Sequence, residues 1–476
     1  MTALKETRPA AANGRGGACK RSVRTVARHI RAGLIRYGVR VGTHLSAEAQ
    51  YLSFIRDTEI ETLLNDYSRP IFKAAGLGSQ NISMRIVKHE TFNAFVLDGQ
   101  NVFMHTGALM QSETPNQVIG VIAHETGHIS GGHLAQLRDR IARDQTKSLL
   151  IKMLGIGLMV AGGGSGVSGA GTGVLVGGDQ LLIRSLLTDR RAQESSADQS
   201  GLRFLNATKQ SGKGMLDTFE RFAQQEYISA SGATQDAFVR SHPVAVERLA
   251  QLRERVAASP YATQLDPPAL QLRHDLMRAK LSGYLDRPAI VLNRYRQTDQ
   301  SLPARYARTI ATFFQSGIGP ALPEVEKLIR ETPQNPYFHE LKADFLMRSG
   351  RSRDAIQPLR QALKLAGTAP LIAIRLAQAL DGETDAKSVS EAVALVQRSL
   401  ITDKNPQGYR LLASGFAKQG RVADADLSIA EAHFLEGDVK KAQIFAKRAE
   451  KGLKSGSPEG IRAGDIVSYK LPKDAL

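Results

Sequence analysis

His124-Glu125-Thr126-Gly127-His128 is the stretch of this chain whose residue types and spacing most directly suggest chemistry. Two histidines four apart stand one above the other on a helix face and can present two imidazole nitrogens to one zinc ion. Glu125 beside them is placed to take a proton from an attacking water and pass it to a leaving amine. The apolar run ahead of the stretch, Val118, Ile119, Val121 and Ile122, puts it on a buried helix. Unpaired His and Glu would be costly there. A solvated helix that happens to carry two His and a Glu is the competing reading.

A catalytic zinc keeps three protein ligands and one open position. A third His six residues after His128 would complete one arrangement, but that position is Leu134, and His133 is one residue early. The alternative is a carboxylate from a later helix. Glu194 and Asp198 share a helix face at i and i+4. Glu194 would bind the ion, and Asp198 would orient a ligand His through its second ring nitrogen. On spacing alone, a surface acidic pair competes equally. On an uninterrupted helix His133 would point away from His124 and His128, which suits support or packing rather than ligation. His29, His44, His89, His105, His274, His339 and His433 share no spacing that suggests a site.

These residues need elements to position them. Thr114-Pro115-Asn116-Gln117 opens the histidine helix with Thr at the N-cap, Pro at the first position and Gln closing a capping box. Residues 82–89 and 92–105 read as strands, with Asp98-Gly99 as a hairpin signal. Residues 47–66 have helical periodicity, which Pro70 is expected to interrupt. Residues 148–161 are apolar but too short to span a bilayer. The Gly-rich stretch after them, to 178, reads as a mobile loop. Helical pattern resumes at Gln180 and continues past Phe204.

After Pro267 the chain becomes helix after helix. Ala343, Leu346, Ala355, Leu359 and Ala362 are matched 70 residues later by Ala413, Phe416, Ala425, Ile429 and Ala432. Seventy is about twice the 34-residue period of tetratricopeptide helix pairs, so paired helices stacked as a solenoid are expected, against an irregular bundle.

Of 476 residues, 63 are Lys or Arg and 46 Asp or Glu, a net charge of +17. Residues 1–45 hold ten basic residues and one acid, more than half of that excess. The body needs no polyanion, and no nucleic-acid partner is expected, although the basic arm is a rival reading. Residues 23–34 could form a short basic amphipathic helix touching an anionic surface, a peripheral membrane contact. Arg31, Arg36 and Arg40 interrupt every candidate export signal. The single Cys rules out a disulfide framework and any Cys-based zinc site.

HETGH, the downstream RRAQESSADQSG, the strand FNAF, and Ser241-His242-Pro243 with Arg248 resemble the gluzincin endopeptidases related to HtpX and the CAAX prenyl protease. With trailing repeats, the chain is most similar to the β-barrel assembly-enhancing protease group. The resemblance implies a fold that is mainly α with a small β-sheet, a zincin-type α+β metalloprotease domain followed by an α-helical tetratricopeptide-like solenoid. It implies a periplasmic or cell-envelope metalloendopeptidase with one Zn2+ per chain, acting on polypeptides such as outer-membrane β-barrel proteins in contact with the barrel-assembly machinery. By position, His124, His128 and Glu194 would be ligands, Glu125 the general base and Asp198 a support. Asn93, Ala94 and Phe95 would lie on the edge strand that pairs with extended substrate. His242 would be a regulatory ligand, against a transition-state contact or plain packing, and Arg248 would steady the same region or the oxyanion, against an ordinary surface arginine. The stretch 148–178 occupies the place of a lid. The expected division is a leader over 1–45, the peptidase domain over 46–260, the repeats over 268–455 and a tail over 456–476. The rival function is a repeat scaffold or chaperone whose protease centre is silent or autoinhibited.

Overall fold

The computed structural model describes residues 53–97, 99–136, 139, 177–229, 238, 242 and 246–470, with the backbone alone over 177–188 and 225–229. The leader, Asp98, the flanking Ser241 and Pro243, and nearly all of 148–178 lie outside the described residues.

Phe54–Ile55 form strand β1, where the periodicity predicts helix, and helix α1 spans Thr58–Ala74. The two residues pair with the sheet instead, and the Asp57 side chain caps α1 by accepting the Ile60 N–H, which fixes where the helix begins. Pro70 does not interrupt α1. An interior proline removes one helix hydrogen bond, but the buried stripe Ile60, Leu63, Leu64, Tyr67, continued by Ile71 and Phe72, holds the last turns in place.

Strands β2 (Ser83–Val87), β3 (Ala94–Val96) and β4 (Asn101–His105) complete a mixed sheet in the order β1-β2-β4-β3. β2 runs parallel to β4, while β3 runs antiparallel to β4 with Ala94 opposite Met104 and Val96 opposite Val102. β3 is therefore an edge strand. Helix α2 (Thr106–Gln111) leads to α3 (Pro115–Ser130), whose Thr114–Gln117 capping box is formed on both sides. Then come α4 (Gly177–Ala207), α5 (Lys213–Ser229) and α6 (Val246–Ala257). Apolar faces of α1, α3, α4 and α5 meet the sheet in one core with Phe92, Phe219, Phe222 and Phe238 at its aromatic heart.

From Pro268 the described chain is helical throughout. Helix pairs open at Pro336, Pro370 and Pro406, pairing 336–348 with 352–366, 370–380 with 386–402, and 406–418 with 422–435. The 70-residue echo is two of these units. Ala343, Leu346, Ala355, Leu359 and Ala362 are buried, as are Ala413, Phe416 and Ala432 at the matching positions. Small residues there let paired helices approach closely. The segment expected as a tail contains helix Pro458–Ser468, which buries Ala463 and Ile466 against the preceding pair.

Helix α7 (Pro268–Leu285) belongs to both halves. Its Met277 and Leu281 enter the peptidase core, and its Leu276 and Ala279 enter the repeat core. Charged groups line the same seam. Lys280 Nζ, only 6% exposed as a residue, lies 2.7 Å from Asp57 Oδ2 and 3.1 Å from Glu59 Oε2, and the Tyr306 hydroxyl donates to Glu59 at 3.0 Å. Arg56 bridges Glu61 at 2.7 Å and Asp403 at 2.9 Å. His274 is a satisfied core histidine, bonded to the Tyr67 hydroxyl and donating to the Ser112 carbonyl. Removing one partner from a buried ionic cluster leaves the others uncompensated. Lys280→Met should therefore destabilise the chain by about 3–5 kcal/mol in denaturant unfolding. A loss under about 1 kcal/mol would show that the seam is hydrated and weak.

Candidate metal centre

The centre is made where α3 crosses α4. At Gly127 a Cβ would stand 2.6 Å from the Ala197 carbonyl oxygen and 2.8 Å from its Cα. At Gly201 a Cβ would reach within 3.1 Å of the Ala123 carbonyl carbon. Two glycines on facing helices thus allow near backbone contact, so that short acidic side chains of α4 reach the imidazoles of α3. Met215 of α5 closes on Gly120 in the same manner.

His124, His128, Glu194 and His242 each offer a ligand atom, and these atoms all lie within 4.8 Å of one another. His124 is fully buried, and its Nδ1 lies 2.9 Å from Asp198 Oδ1. A carboxylate accepts only, so Nδ1 carries the hydrogen and Nε2 of the neutral ring is left with a lone pair. Around that lone pair stand His128 Nε2 at 3.2 Å, His242 Nδ1 at 3.2 Å and Glu194 Oε2 at 3.4 Å. His242 Nδ1 also lies 3.1 Å from both Glu194 oxygens.

Arg248 is buried, not a surface arginine. It donates through Nε and Nη2 to Asp198, the latter at 2.8 Å, and its Nη1 lies 3.1 Å from Glu194 Oε2. Its guanidinium rests over the Phe219 ring at 4.9 Å. The contact to Asp198 makes it an anchor of the carboxylates rather than a group free to meet an oxyanion. Burial alone would lower His124, but hydrogen bonds to Asp198 and Glu194 overcome it and raise its pKa to about 9. Glu125 is 1% exposed, its Oε1 has no hydrogen-bond partner among the described residues, and burial raises its pKa to about 7. His242 Nε2 stands 3.4 Å from that oxygen.

These residues fit a metal ion. Two buried carboxylates, Glu194 and Asp198, pair with the Arg248 guanidinium, and Glu125 lies buried beside the imidazoles. The four converging nitrogen and oxygen donors form the kind of set that holds a dication. The structure brings Asp198 and Arg248 together with the three expected ligands, His124, His128 and Glu194, and with His242.

The sequence assigns His133 a support or packing role but points it away from His124 and His128. The helix ends at Ser130, and Gly132 takes a left-handed φ of 63°, which turns the chain back. His133 Nδ1 then lies 2.9 Å from His128 Nδ1. The Gly131-Gly132 pair is the sequence signal that an uninterrupted helix should not have been assumed. Asn93 and Ala94 are buried at the start of β3, on its edge of the sheet, and Phe95 stacks on Phe103.

Comparison with known proteins agrees with this geometry. Residues 55–256 match the model of peptidase family M48. The chain is 24% identical to the β-barrel assembly-enhancing protease of Yersinia pestis over 397 residues, 79% of this chain and 76% of that protein. It is 25% identical to the protein of the same name from Escherichia coli strain K12 over 391 residues, with the same coverage. The metalloprotease LoiP of Escherichia coli is 26% identical over 41% of this chain and 72% of that protein. Residues 55–256 are thus a peptidase family M48 domain, and the chain that carries it is a metalloendopeptidase.

Proposed function

We propose that the chain is a zinc metalloendopeptidase of the cell envelope that hydrolyses misfolded or stalled proteins, with His124, His128 and Glu194 holding one zinc ion. The observation that carries this reading is the gathering of three imidazoles and a carboxylate, each offering a ligand atom within 4.8 Å of the others. Nitrogen and oxygen donors in so compact a set suit zinc better than calcium or magnesium, which prefer six or more oxygens. Zinc bound there would polarise the scissile carbonyl and acidify the attacking water.

The chain's own groups do the rest. Glu125, with a buried oxygen that makes no hydrogen bond among the described residues, takes the proton of the attacking water and returns it to the leaving amine. Asp198 keeps the His124 lone pair aimed inward, and Arg248 fixes Asp198 and Glu194. An extended substrate adds a strand along the side of β3 that faces away from β4, the strand region that carries Asn93, Ala94 and Phe95. Such pairing reads backbone more than sequence, which suits varied clients.

The likeness to β-barrel assembly-enhancing proteases over about four fifths of the chain supports outer-membrane β-barrel proteins as clients and a periplasmic location. In this reading the peptidase domain over 46–260 is served by the repeats from 268 onward, which recruit clients or the outer-membrane assembly machinery. Among the described residues no helix is long and apolar enough to cross a membrane.

One observation also favours a resting, closed centre. His242 supplies a fourth protein donor, and a four-ligand zinc has the form of a structural site. Withdrawal of His242 would open the position that substrate needs. Glu125→Gln should lower hydrolysis of an unfolded substrate such as casein by about 10²–10⁴-fold while bound zinc is retained. An unchanged rate would remove Glu125 from the mechanism. His242→Ala should raise the basal rate, whereas a fall would make His242 a transition-state contact.

A further inference from the structure

We infer that His133 is a positioning residue for the metal centre, accepting on its Nδ1 the proton that His128 carries on Nδ1. The inference rests on the zinc reading and extends it to the support of the second histidine. A metal-ligating imidazole hands its outer N–H to an acceptor, which fixes the tautomer and the ring orientation. For His124 that acceptor is Asp198, 2.9 Å from Nδ1. His128 has His133 in the corresponding place, also at 2.9 Å.

The direction of this bond follows from the use of His128. Were His133 the donor, the neutral His128 ring would carry its hydrogen on Nε2, the nitrogen that faces His124 Nε2 at 3.2 Å and Glu194 Oε1 at 3.5 Å. That tautomer has no lone pair to give an ion on the inner side. Ligation therefore requires His133 to accept, with its own hydrogen on Nε2. His128 also needs the restraint more than His124 does. Its side chain is 16% exposed on the last turn of α3, against 0% for His124.

The turn between them is built for this contact. Gly132, at φ 63°, reverses the chain, and the next turn is held by the Gln136 amide bonding to the Gly132 carbonyl at 3.0 Å. Gly131 has the ordinary φ of −77° and ψ of −7°, so its own backbone does not require glycine. The His133 ring requires it. A Cβ at 131 would lie 2.5 Å from His133 Nε2, 2.9 Å from Cε1 and 3.0 Å from Cδ2. One glycine makes the turn, and the other clears the space in which the ring lies, 8% exposed, against His128.

The test uses the full chain, stripped of metal with a chelator and titrated with zinc ion against a chromophoric chelator. His133→Phe, which keeps a ring but cannot accept, should weaken zinc binding about 10–100-fold. His133→Asp should restore most of that loss, because a carboxylate accepts the same proton. Gly131→Ala, which displaces the ring without removing it, should weaken zinc in the wild-type background. Added to His133→Ala, it should cause no further loss. Thermal unfolding of the metal-free variants separates affinity from folding; if His133→Phe proves unstable, the paired Gly131→Ala measurements decide. Wild-type affinity in His133→Phe, or equal losses in His133→Phe and His133→Asp, would overturn the inference. His128→Ala distinguishes the two levels. If it abolishes zinc binding while His133→Phe keeps wild-type affinity, the centre stands and the support falls. A wild-type chain that takes up no zinc would overturn both.

Discussion

Two helix backbones in near contact, α3 and α4, are the constraint on which the centre depends. Glutamate and aspartate side chains are short, and Glu194 and Asp198 can reach His124 only if α4 lies closer to α3 than ordinary side chains permit. Gly127 against Ala197 and Gly201 against Ala123 provide that closeness. The same crossing aligns two separate i, i+4 pairs, His124 with His128 and Glu194 with Asp198, so that one member of the acidic pair faces the donors and the other backs a histidine. The capping box at Thr114 and the packing of Met215 on Gly120 fix where α3 begins and how it sits.

Close approach concentrates charge, and the arrangement of that charge gives the pocket its character. Arg248 is set against the buried carboxylates Asp198 and Glu194, and two of its contacts go to Asp198. Each acidic group thereby acquires a different environment. Asp198 is held ionised by Arg248 and His124 against the opposing effect of burial, while Glu125, without a hydrogen bond to one oxygen, is pushed up to about 7 by burial. Two carboxyl groups so differently placed suit two tasks, one fixing an imidazole and one exchanging a proton. The buried seam of Lys280, Asp57, Glu59 and Tyr306 uses similar groups for another end, joining α7 of the repeat half to the start of α1.

Much of the centre was legible because its signals are local. HETGH needs one helix, and ESSAD needs another; the spacing within each determines which side chains share a face. The helix pairs were legible for the same reason, since small residues recur at a fixed interval. What sequence hid was the consequence of turns and of long-range contact. His133 could be read as pointing away only while the helix was taken to continue past Ser130, and Gly131-Gly132 ends it. Phe54 and Ile55 carry a helical pattern, but the sheet edge wins them, because pairing with β2 satisfies their backbone groups. Pro70 marks a break in isolation, yet Ile71 and Phe72 are buried deeply enough to keep the helix whole. Arg248 gave no signal at all beyond its resemblance to a family position, since its partners lie about fifty residues away.

The central claim is that α4 completes a metal site begun on α3. Elemental analysis of the purified full chain and of Glu194→Ala tests it most directly. The account predicts about one zinc per wild-type chain and a large loss of zinc in Glu194→Ala, since the variant removes the carboxylate that α4 contributes to the donor set. Full zinc retained in Glu194→Ala, with the fold intact, would contradict it.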